Sequence, residues 1–356
     1  MQSKRIDRTL VFCLLALVVL GSVFVYSSSY YRAMCRGEDS IFYLLGHLKR
    51  LAIASIFFAL GLFFPYEIIR KLIFPIFIFI VIFLFATLLA GRVQYGARRS
   101  ISLLSSFGLQ ISEFVRIWLV FFLANFFDSH RQTANTRSGM LTTIMLCLFV
   151  ILLVAIQPSI SMAVICVLVI TAMFIYGSTK LKLVFPILAT SLVMLAIFVL
   201  VFPHAKYRLT GFMTNPVYQV QQSLIAIGSG GFFGKGPGAG LQKFLFLPRI
   251  HNDFIFAHIA EEFGFLGSFV VFVLYWQIFF RGLFIADKLD DDFTKLLVLG
   301  LNTSIFIIFL VHVGVSMGLL PPTGVPLPFI SFGGWSLVAN LFAMGVILQA
   351  SKKRVV

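Results

Sequence analysis

Long runs of apolar residues are the feature that most constrains this chain. A helix needs about 20 predominantly apolar residues to cross the hydrocarbon core of a bilayer. Ten segments meet that requirement, at approximately 9–29, 47–65, 72–91, 111–128, 139–157, 160–177, 182–203, 254–282, 295–319 and 327–350. With 60% hydrophobic and only 12% charged residues, the chain lies far from a soluble domain. We predict an all-α polytopic membrane protein with about ten spans, forming one domain over residues 1–356.

Basic residues near both ends of the chain predict its orientation. An even number of spans places the two termini on one side of the membrane, and the positive-inside rule makes that side cytoplasmic. Residues 1–30 also resemble a signal peptide, but no small-x-small cleavage site follows the apolar run, so we expect a retained first span. The basic residues concerned are Lys4, Arg5, Arg8, Lys352, Lys353 and Arg354.

Two segments predicted on the outer side are too long to be simple connections. Residues 91–110 are rich in Gly, Ser and Arg, and residues 204–253 form a long loop between spans 7 and 8. The Phe and Leu content of the second segment predicts a folded loop on the membrane surface. The chain has 28 Lys+Arg against 13 Asp+Glu, a formal charge of +15. Because basic residues occur on the outer side too, we expect an anionic extracytoplasmic ligand besides anionic lipids, and no nucleic acid.

Acidic residues at membrane depth are candidate functional residues, because burying them in a bilayer is costly. Glu113 and Arg116 stand three residues apart on one helix face, where they form either a structural ion pair or a substrate-facing pair. Asp253 begins the span after the long loop and is either a helix cap or a catalytic group. Glu261 shares its helix face about two turns deeper.

Metal and nucleotide sites are not predicted. The four cysteines show no CxxC spacing, and a lone histidine such as His251, His258 or His312 in an apolar setting is usually an interior group. The stretch GSGGFFGKG lacks the Ser or Thr that follows Lys in a phosphate loop. Its glycines are more typical of tight turns and close backbone approach.

Three ordered blocks of sequence resemble the FtsW/RodA (SEDS) family of membrane proteins. Residues 218–267 read YQVQQSLIAIGSGGFFGKGPGAGLQKFLFLPRIHNDFIFAHIAEEFGFLG and are similar to the family's YQ..QS..AIGSGG..GKG, HTDFIFA and AEE.G..G elements. Residues 318–341 resemble its GLLP.TG..LPF.SYGGSSL..N block, and residues 96–116 its GA.RWI...QPSE.AK block. The resemblance runs over most of the chain. Its GAGLQK spacing is closer to the division branch than to the elongation branch.

The resemblance implies a ten-span peptidoglycan glycosyltransferase of the bacterial inner membrane. Such an enzyme polymerises lipid II into septal glycan strands, releases polyprenyl pyrophosphate, and works with a class B penicillin-binding protein. Asp253 matches the family's essential aspartate, Glu113 its QPSE acid, and Arg116 the following Lys. Departures occur at Arg249, where the family has an acid, and at Ser159, which replaces the acid of PDLGT.

On this basis we assign Asp253 as the catalytic base and expect a set of substrate-binding side chains around it. That set comprises Glu113, Arg116, Arg98, Lys235, Lys243, Gln242, His251, Glu261 and Ser331. The donor is already activated, so no cofactor is required, although a divalent cation such as Mg²⁺ could share the neutralisation of pyrophosphate with the basic residues. Other expected partners are the nascent glycan strand, further divisome proteins and membrane lipids. The alternatives are a RodA-like elongation polymerase, a lipid II flippase and a noncatalytic scaffold.

Overall fold

A computed structural model gives the fold of most of the chain. It describes residues 6–90, 92–94, 97–104, 107–130, 136–157, 159–177 and 217–353, and the single residues 189, 193, 210 and 212. These ranges contain, in order, α1 (Arg8–Met34), α2 (Phe42–Phe63), α3 (Tyr66–Ala90), β1 (Arg92–Gln94), β2 (Ala97–Leu104), β3 (Phe107–Leu109), α4 (Ser112–Ser129), α5 (Arg137–Ile156), α6 (Ile160–Gly177), α7 (Tyr218–Gly230), α8 (Ile250–Asp253), α9 (Ile255–Asp287), α10 (Asp292–Ser316) and α11 (Gly334–Ser351).

The helical, membrane-spanning class is confirmed. Within the described ranges, eight helices are long and apolar enough to cross a membrane, namely α1, α2, α3, α5, α6, α9, α10 and α11. The helix α4 has a similar length but carries Glu113, Arg116 and Asp128. The predicted span 182–203 falls outside the described residues, so the count of ten stays a prediction. The last span begins at Gly334 rather than at residue 327, because the preceding segment forms turns.

The first of the two long segments predicted on the outer side, residues 91–110, contains β-strands, which the sequence analysis did not predict. The strands β1, β2 and β3 form an antiparallel sheet in chain order, with Val93 opposite Arg98 and Ile101 opposite Leu109. Alternation of apolar and polar residues is limited here to runs of about four residues, such as Ser-Ile-Ser-Leu at 100–103, within a Gly-, Ser- and Arg-rich stretch. This explains why the composition alone indicated only a loop.

Asp7 fixes both termini at one end of the helix bundle. Its carboxylate caps α1 by accepting from the Leu10 amide at 3.1 Å and pairs with Arg281 near the end of α9. Its own amide donates to the Ser351 hydroxyl at 3.2 Å, in the last turn of α11. The start of α1 and the end of α11 therefore lie at one end of the bundle, as expected for an even number of spans. We call the opposite end, which holds α8, the far end.

The helices α4, α10 and α11 form the most buried part of the bundle. Arg116 is completely buried there and donates to Ser304 at 2.7 Å and to Asn340 at 2.9 Å. Two glycines let α2 and α11 touch through their backbones, since a Cβ at Gly61 would lie 2.4 Å from the Phe342 carbonyl and one at Gly345 2.3 Å from the Phe58 carbonyl. Small residues permit the same close approach in other membrane bundles.

Candidate active site at the far end of the bundle

Asp253 is the last residue of α8, a single helical turn that joins the long outer segment to α9. The N-cap of α9 is Phe254, so the capping interpretation of Asp253 is wrong. The Asp253 side chain is 13% exposed, and its carboxylate lies 3.8 Å from the Arg249 guanidinium. The side-chain amide of Asn252 donates to the Asp253 carboxylate at 2.6 Å. A carboxylate in this position keeps contact with solvent while being held in one orientation.

A loop over residues 318–333 covers the turn that carries Asp253. The Ser331 hydroxyl donates to the Asn252 carbonyl at 2.8 Å and accepts from the Leu327 amide at 2.9 Å. The Phe332 amide donates to the His251 carbonyl at 3.0 Å. Gly324 lies beside the catalytic candidate, because a Cβ there would be 3.9 Å from Oδ2 of Asp253, and its φ of 68° favours glycine. The loop and α8 thus form one hydrogen-bonded unit.

The same loop is also fastened to the spanning helices. Its Thr323 carbonyl accepts from the Ser161 hydroxyl of α6 at 2.9 Å. Its Val325 carbonyl lies 2.8 Å from the His312 ring of α10. The Tyr275 hydroxyl of α9 donates to the Pro328 carbonyl. These contacts hold the loop rigidly over the site, as expected for a preorganised centre.

A polar cavity of about 190 Å³ opens beside this unit. Glu113 lies in its wall, is only 3% exposed, and its Oε2 has no hydrogen-bond partner among the described residues. No Lys or Arg is found among the described residues that line the cavity. These are Gln110, Glu113, Ser159, Ser161, Met162, Asn252, Thr323, Gly324, Val325, Pro326, Phe332, Gly333, Gly334, Trp335 and Ser336. Hydroxyls, amides and one carboxylate in such an arrangement suit an uncharged, hydroxyl-rich group.

His251 packs between aromatic rings next to Asp253. Its ring lies 5.0 Å from the ring of Tyr43 and 5.5 Å from that of Phe332. Burial, and then the charges of nearby arginines, lower the pKa of His251 to about 3. The imidazole is therefore neutral at physiological pH. The arginines concerned are Arg32, Arg36, Arg249 and Arg50.

Two fully buried glutamates near the start of α9 form a separate cluster, which we call the glutamate hub. Glu261 accepts from Lys235 Nζ at 2.9 Å, from the Leu241 amide at 2.8 Å and from the Gln242 amide at 3.2 Å. It has no exposed surface. Three donors satisfy this carboxylate, so it ties the glycine-rich segment to α9.

The second glutamate of the hub ties the same segment to α1. Glu262 accepts from the buried Lys243 Nζ at 2.8 Å and from the Ser27 hydroxyl at 2.8 Å. Glycines make this packing possible, because a Cβ at Gly230 would lie 1.9 Å from the Ala260 carbonyl. The chain bends at Gly264, whose φ is 65°, where the Phe265 amide donates to the Gly231 carbonyl instead of within its helix.

The predicted site residues thus divide into groups. One group lies at the cavity and its covering loop: Glu113 is in the cavity wall, and Asp253, His251 and Ser331 belong to the unit formed by α8 and the loop. Lys235, Lys243, Gln242 and Glu261 meet in the glutamate hub, and Arg116 lies in the core of the bundle. The side chain of Arg98 lies outside the described residues.

Several residues of the cavity wall were missed as site residues from the sequence. Thr323 and Gly324 were covered only by the block at residues 318–341, Asn252 only by the block at residues 218–267, and Ser159 only as a departure from the family pattern. The signal available was position for the first three, since each lies in a block that carries a predicted site residue. Arg249 was also noted as a departure, and it lies next to Asp253.

No group of three or more His, Cys, Asp or Glu side chains that could hold a metal ion occurs in the part of the chain that the structure describes. The adjacent acids Glu261 and Glu262 are paired with Lys235 and Lys243. A resident metal therefore has no evident cage among these residues.

Comparisons with known proteins agree with the fold and with the sequence blocks. Residues 7–355 match the model of a cell cycle protein family that comprises FtsW, RodA and SpoVE. The chain is 32% identical to a probable peptidoglycan glycosyltransferase FtsW of Francisella salina, over 97% of this chain and 89% of the relative. It is 31% identical to stage V sporulation protein E of Bacillus subtilis, over 97% of both. A chain solved in work on polymerization and crosslinking by a peptidoglycan synthase complex has the same fold, with a TM-score of 0.78, 23% identity and 97% of both chains covered.

Proposed function

This chain belongs to the FtsW/RodA/SpoVE family of cell cycle proteins, and we propose that it is a peptidoglycan glycosyltransferase that polymerises lipid II. Relatives that match nearly its whole length carry that activity in their names. The reaction would join the sugar 4-hydroxyl of one lipid-linked substrate to the anomeric carbon of another. It would release a polyprenyl pyrophosphate and require no soluble cofactor.

The observation that carries this proposal is the setting of Asp253. Its carboxylate is positioned by Asn252 and Arg249 and remains partly exposed beside a polar cavity at the far end of the bundle. A sugar attached to a membrane-embedded lipid would be presented at the membrane surface. A base at an end of the bundle can meet such a sugar, whereas one buried at mid-membrane cannot.

In the proposed step, Asp253 accepts the proton of the acceptor hydroxyl as its oxygen bonds to the anomeric carbon. The bond from that carbon to the pyrophosphate oxygen breaks, and the electron pair leaves with the pyrophosphate. Inversion at carbon converts an α linkage into a β linkage. General base catalysis of this kind contributes about 10²- to 10⁴-fold to a rate.

Glu113 and the cavity around it would hold the sugar near Asp253. The partnerless Oε2 of Glu113 can accept a hydrogen bond from a sugar hydroxyl, and the surrounding hydroxyl and amide groups can complete its coordination. A buried acceptor left without a donor is costly, which favours a ligand that supplies one.

The cellular role that fits best is septal wall synthesis in the bacterial inner membrane. Several relatives are named FtsW, which supports the division branch over elongation. A class B penicillin-binding protein is the expected transpeptidase partner, since the solved relative comes from a complex that couples polymerization with crosslinking. Under this proposal the far end faces the extracytoplasmic side.

The proposal is tested by reconstituting the chain with its cognate transpeptidase and purified lipid II. We expect wild-type protein to produce glycan strands and Asp253→Asn to lose at least about 100-fold in rate, because the amide cannot accept the proton. Asp39→Asn is the matched control, since Asp39 is an exposed carboxylate in the α1–α2 turn, and it should keep full activity.

Strands of normal length and rate from Asp253→Asn would refute the assignment of the base. Absence of strands from folded wild-type protein in complex with its partner would refute the glycosyltransferase itself. Neither a flippase nor a scaffold would produce strands, so the same assay separates all three functions.

A further inference from the structure

We propose that a cluster of arginines around His251 and Phe332, beside the polar cavity, binds the pyrophosphate of the lipid-linked donor. This inference rests on the proposed function and names the residues that would meet the leaving group. The members, which we call the arginine cluster, are Arg32, Arg36, Arg50 and Arg249.

The arginine cluster is assembled from three separate elements at the far end. Arg32 lies in the last turn of α1 and Arg36 in the turn that follows, where its Nη1 donates to the Tyr43 hydroxyl at 2.8 Å. Arg50 lies on α2 with its guanidinium 3.9 Å above the Phe332 ring. Arg249 caps α8 in a left-handed conformation, with φ of 55°, 3.8 Å from Asp253.

Direct contacts gather the cluster around His251 and Asp253. Arg36 donates to Tyr43, whose ring lies 5.0 Å from that of His251. Arg50 lies over Phe332, whose ring lies 5.5 Å from that of His251, and Arg249 lies 3.8 Å from Asp253. The positive charges of neighbouring arginines repel one another, and a bound anion relieves that repulsion. The planar guanidinium donates two parallel hydrogen bonds to phosphate oxygens, which makes arginine well suited to a pyrophosphate.

Two buried histidines supply a second, independent indication of a ligand. His47 has no exposed surface, and neither of its ring nitrogens has a hydrogen-bond partner among the described residues. Nδ1 of His251, a side chain that is 7% exposed, is in the same condition. Buried polar atoms without partners are rare in native proteins.

The position of His47 links it to the arginine cluster. It stands four residues after Tyr43 and three before Arg50, so the three side chains share one face of α2. Its ring stacks on Phe332 with centroids 6.3 Å apart. Phe332 also lines the polar cavity, so its ring contacts Arg50 and borders a cavity that has no Lys or Arg among its described lining residues.

This division of charge matches the two parts of the donor. The cavity has hydroxyl, amide and carboxylate groups for the sugar, whereas the arginine cluster has positive charge for the pyrophosphate. Asp253 adjoins both compartments, through Gly324 and Asn252 on one side and Arg249 on the other. Lys235 and Lys243, which the sequence suggested for pyrophosphate, are paired with glutamates instead.

The test is binding of farnesyl pyrophosphate to the purified chain in neutral detergent, with farnesol as the probe that lacks the charge. We expect Arg32→Gln and Arg36→Gln each to weaken farnesyl pyrophosphate binding about 10-fold and to leave farnesol binding unchanged, because each variant removes a charged hydrogen-bond donor to the pyrophosphate. Higher salt should reduce the difference. Lys49→Gln is the matched control, since it removes a charge from the exposed face of α2.

Unchanged binding in the arginine variants, or equal weakening in Lys49→Gln, would overturn the proposal. Arg32 and Arg36 are both partly exposed, so melting temperatures should stay near wild type and keep the comparison meaningful. Competition by phosphatidylglycerol as strong as by farnesyl pyrophosphate would also overturn it, by assigning the cluster to a membrane headgroup.

Failure of this inference is distinguishable from failure of the proposed function. Asp253→Asn should still bind farnesyl pyrophosphate at least as tightly as wild type, although it makes no strands. If the chain polymerises lipid II but its arginine variants bind farnesyl pyrophosphate normally, the proposed function stands and the arginine cluster is refuted as the binding site. If the arginine variants weaken binding but the wild-type chain does not polymerise lipid II, the binding site stands and the proposed function is refuted.

Discussion

The glutamate hub and the site of Asp253 lie within ten residues of each other in sequence, yet they treat their acidic groups in opposite ways. Glu261 and Glu262 are completely buried, and each accepts from a lysine and from further donors. Asp253 keeps part of its surface exposed beside a cavity and is positioned by one amide and one arginine at 3.8 Å.

The contrast separates an acid that holds the structure from an acid that is available for chemistry. A carboxylate whose lone pairs are all occupied cannot accept a substrate proton without breaking its contacts. A carboxylate that keeps exposed surface beside a cavity can. The density of family motifs is similar in both regions, so exposure of the carboxylate, rather than motif content, distinguishes them.

The largest effect on stability is expected from breaking the hub at Glu262. Glu262→Gln leaves the buried Lys243 charge without its counter-ion, and removal of one partner of a buried pair costs about 3–5 kcal/mol. We expect a large fall in the melting temperature of the detergent-solubilised protein. The measurement is thermal unfolding followed by tryptophan fluorescence.

Removing both partners provides the control for that experiment. The double variant Lys243→Met with Glu262→Met leaves no buried charge in this pair, so it should recover much of the lost stability. If the single and double variants unfold at the wild-type temperature, the hub does not hold the loop as described.

Two glycines of α7 give the next largest effect. A Cβ at Gly230 would collide with the Ala260 carbonyl, whereas one at Gly228 would meet nothing within 4 Å. Gly230→Ala should therefore destabilise the protein by about 1–3 kcal/mol, and Gly228→Ala should be neutral or slightly stabilising. Equal melting temperatures for the two variants would show that α7 does not pack on α9 this closely.

The smallest effect is expected from removing the hydrogen bonds of Ser331 in the loop that covers the candidate active site. Ser331→Ala removes the hydroxyl that joins the Asn252 carbonyl to the Leu327 amide, at a cost of about 1–2 kcal/mol. We expect a modest fall in the polymerisation rate with little change in substrate binding, because Asp253 loses its positioning. Ser55→Ala, on the exposed part of α2, should change neither quantity. A rate for Ser331→Ala equal to wild type would remove the loop from the positioning of Asp253.

The fold was largely predictable because crossing a bilayer imposes one simple requirement on each span. Length and hydropathy located the helices, and the span at 160–177 coincides with α6. The small sheet over residues 92–109 was not predicted, since the alternation that marks a half-buried strand is confined there to short runs such as residues 100–103 among Gly, Ser and Arg residues. The start of α11 was missed because the apolar residues before Gly334 pack in turns rather than in a helix.

The site was predictable only in part. Asp253 and Glu113 could be singled out as candidates because ionisable groups at membrane depth are conspicuous in an apolar sequence, and their role stays a prediction. The partners of Lys235 and Lys243 could not, because nothing in the sequence says which of several nearby acids a lysine will meet. The arginine cluster escaped notice for the same reason, since Arg36 and Arg249 are more than 200 positions apart and only the fold brings them to one place.

The most direct test of the division between the two acidic regions is to compare Asp253→Asn with Glu261→Gln in the lipid II polymerisation assay, with rates expressed per folded molecule. We predict a loss of at least about 100-fold for Asp253→Asn and, for the folded fraction of Glu261→Gln, a rate close to that of wild type. Near-normal polymerisation by Asp253→Asn, or an equal loss in folded Glu261→Gln, would contradict this account.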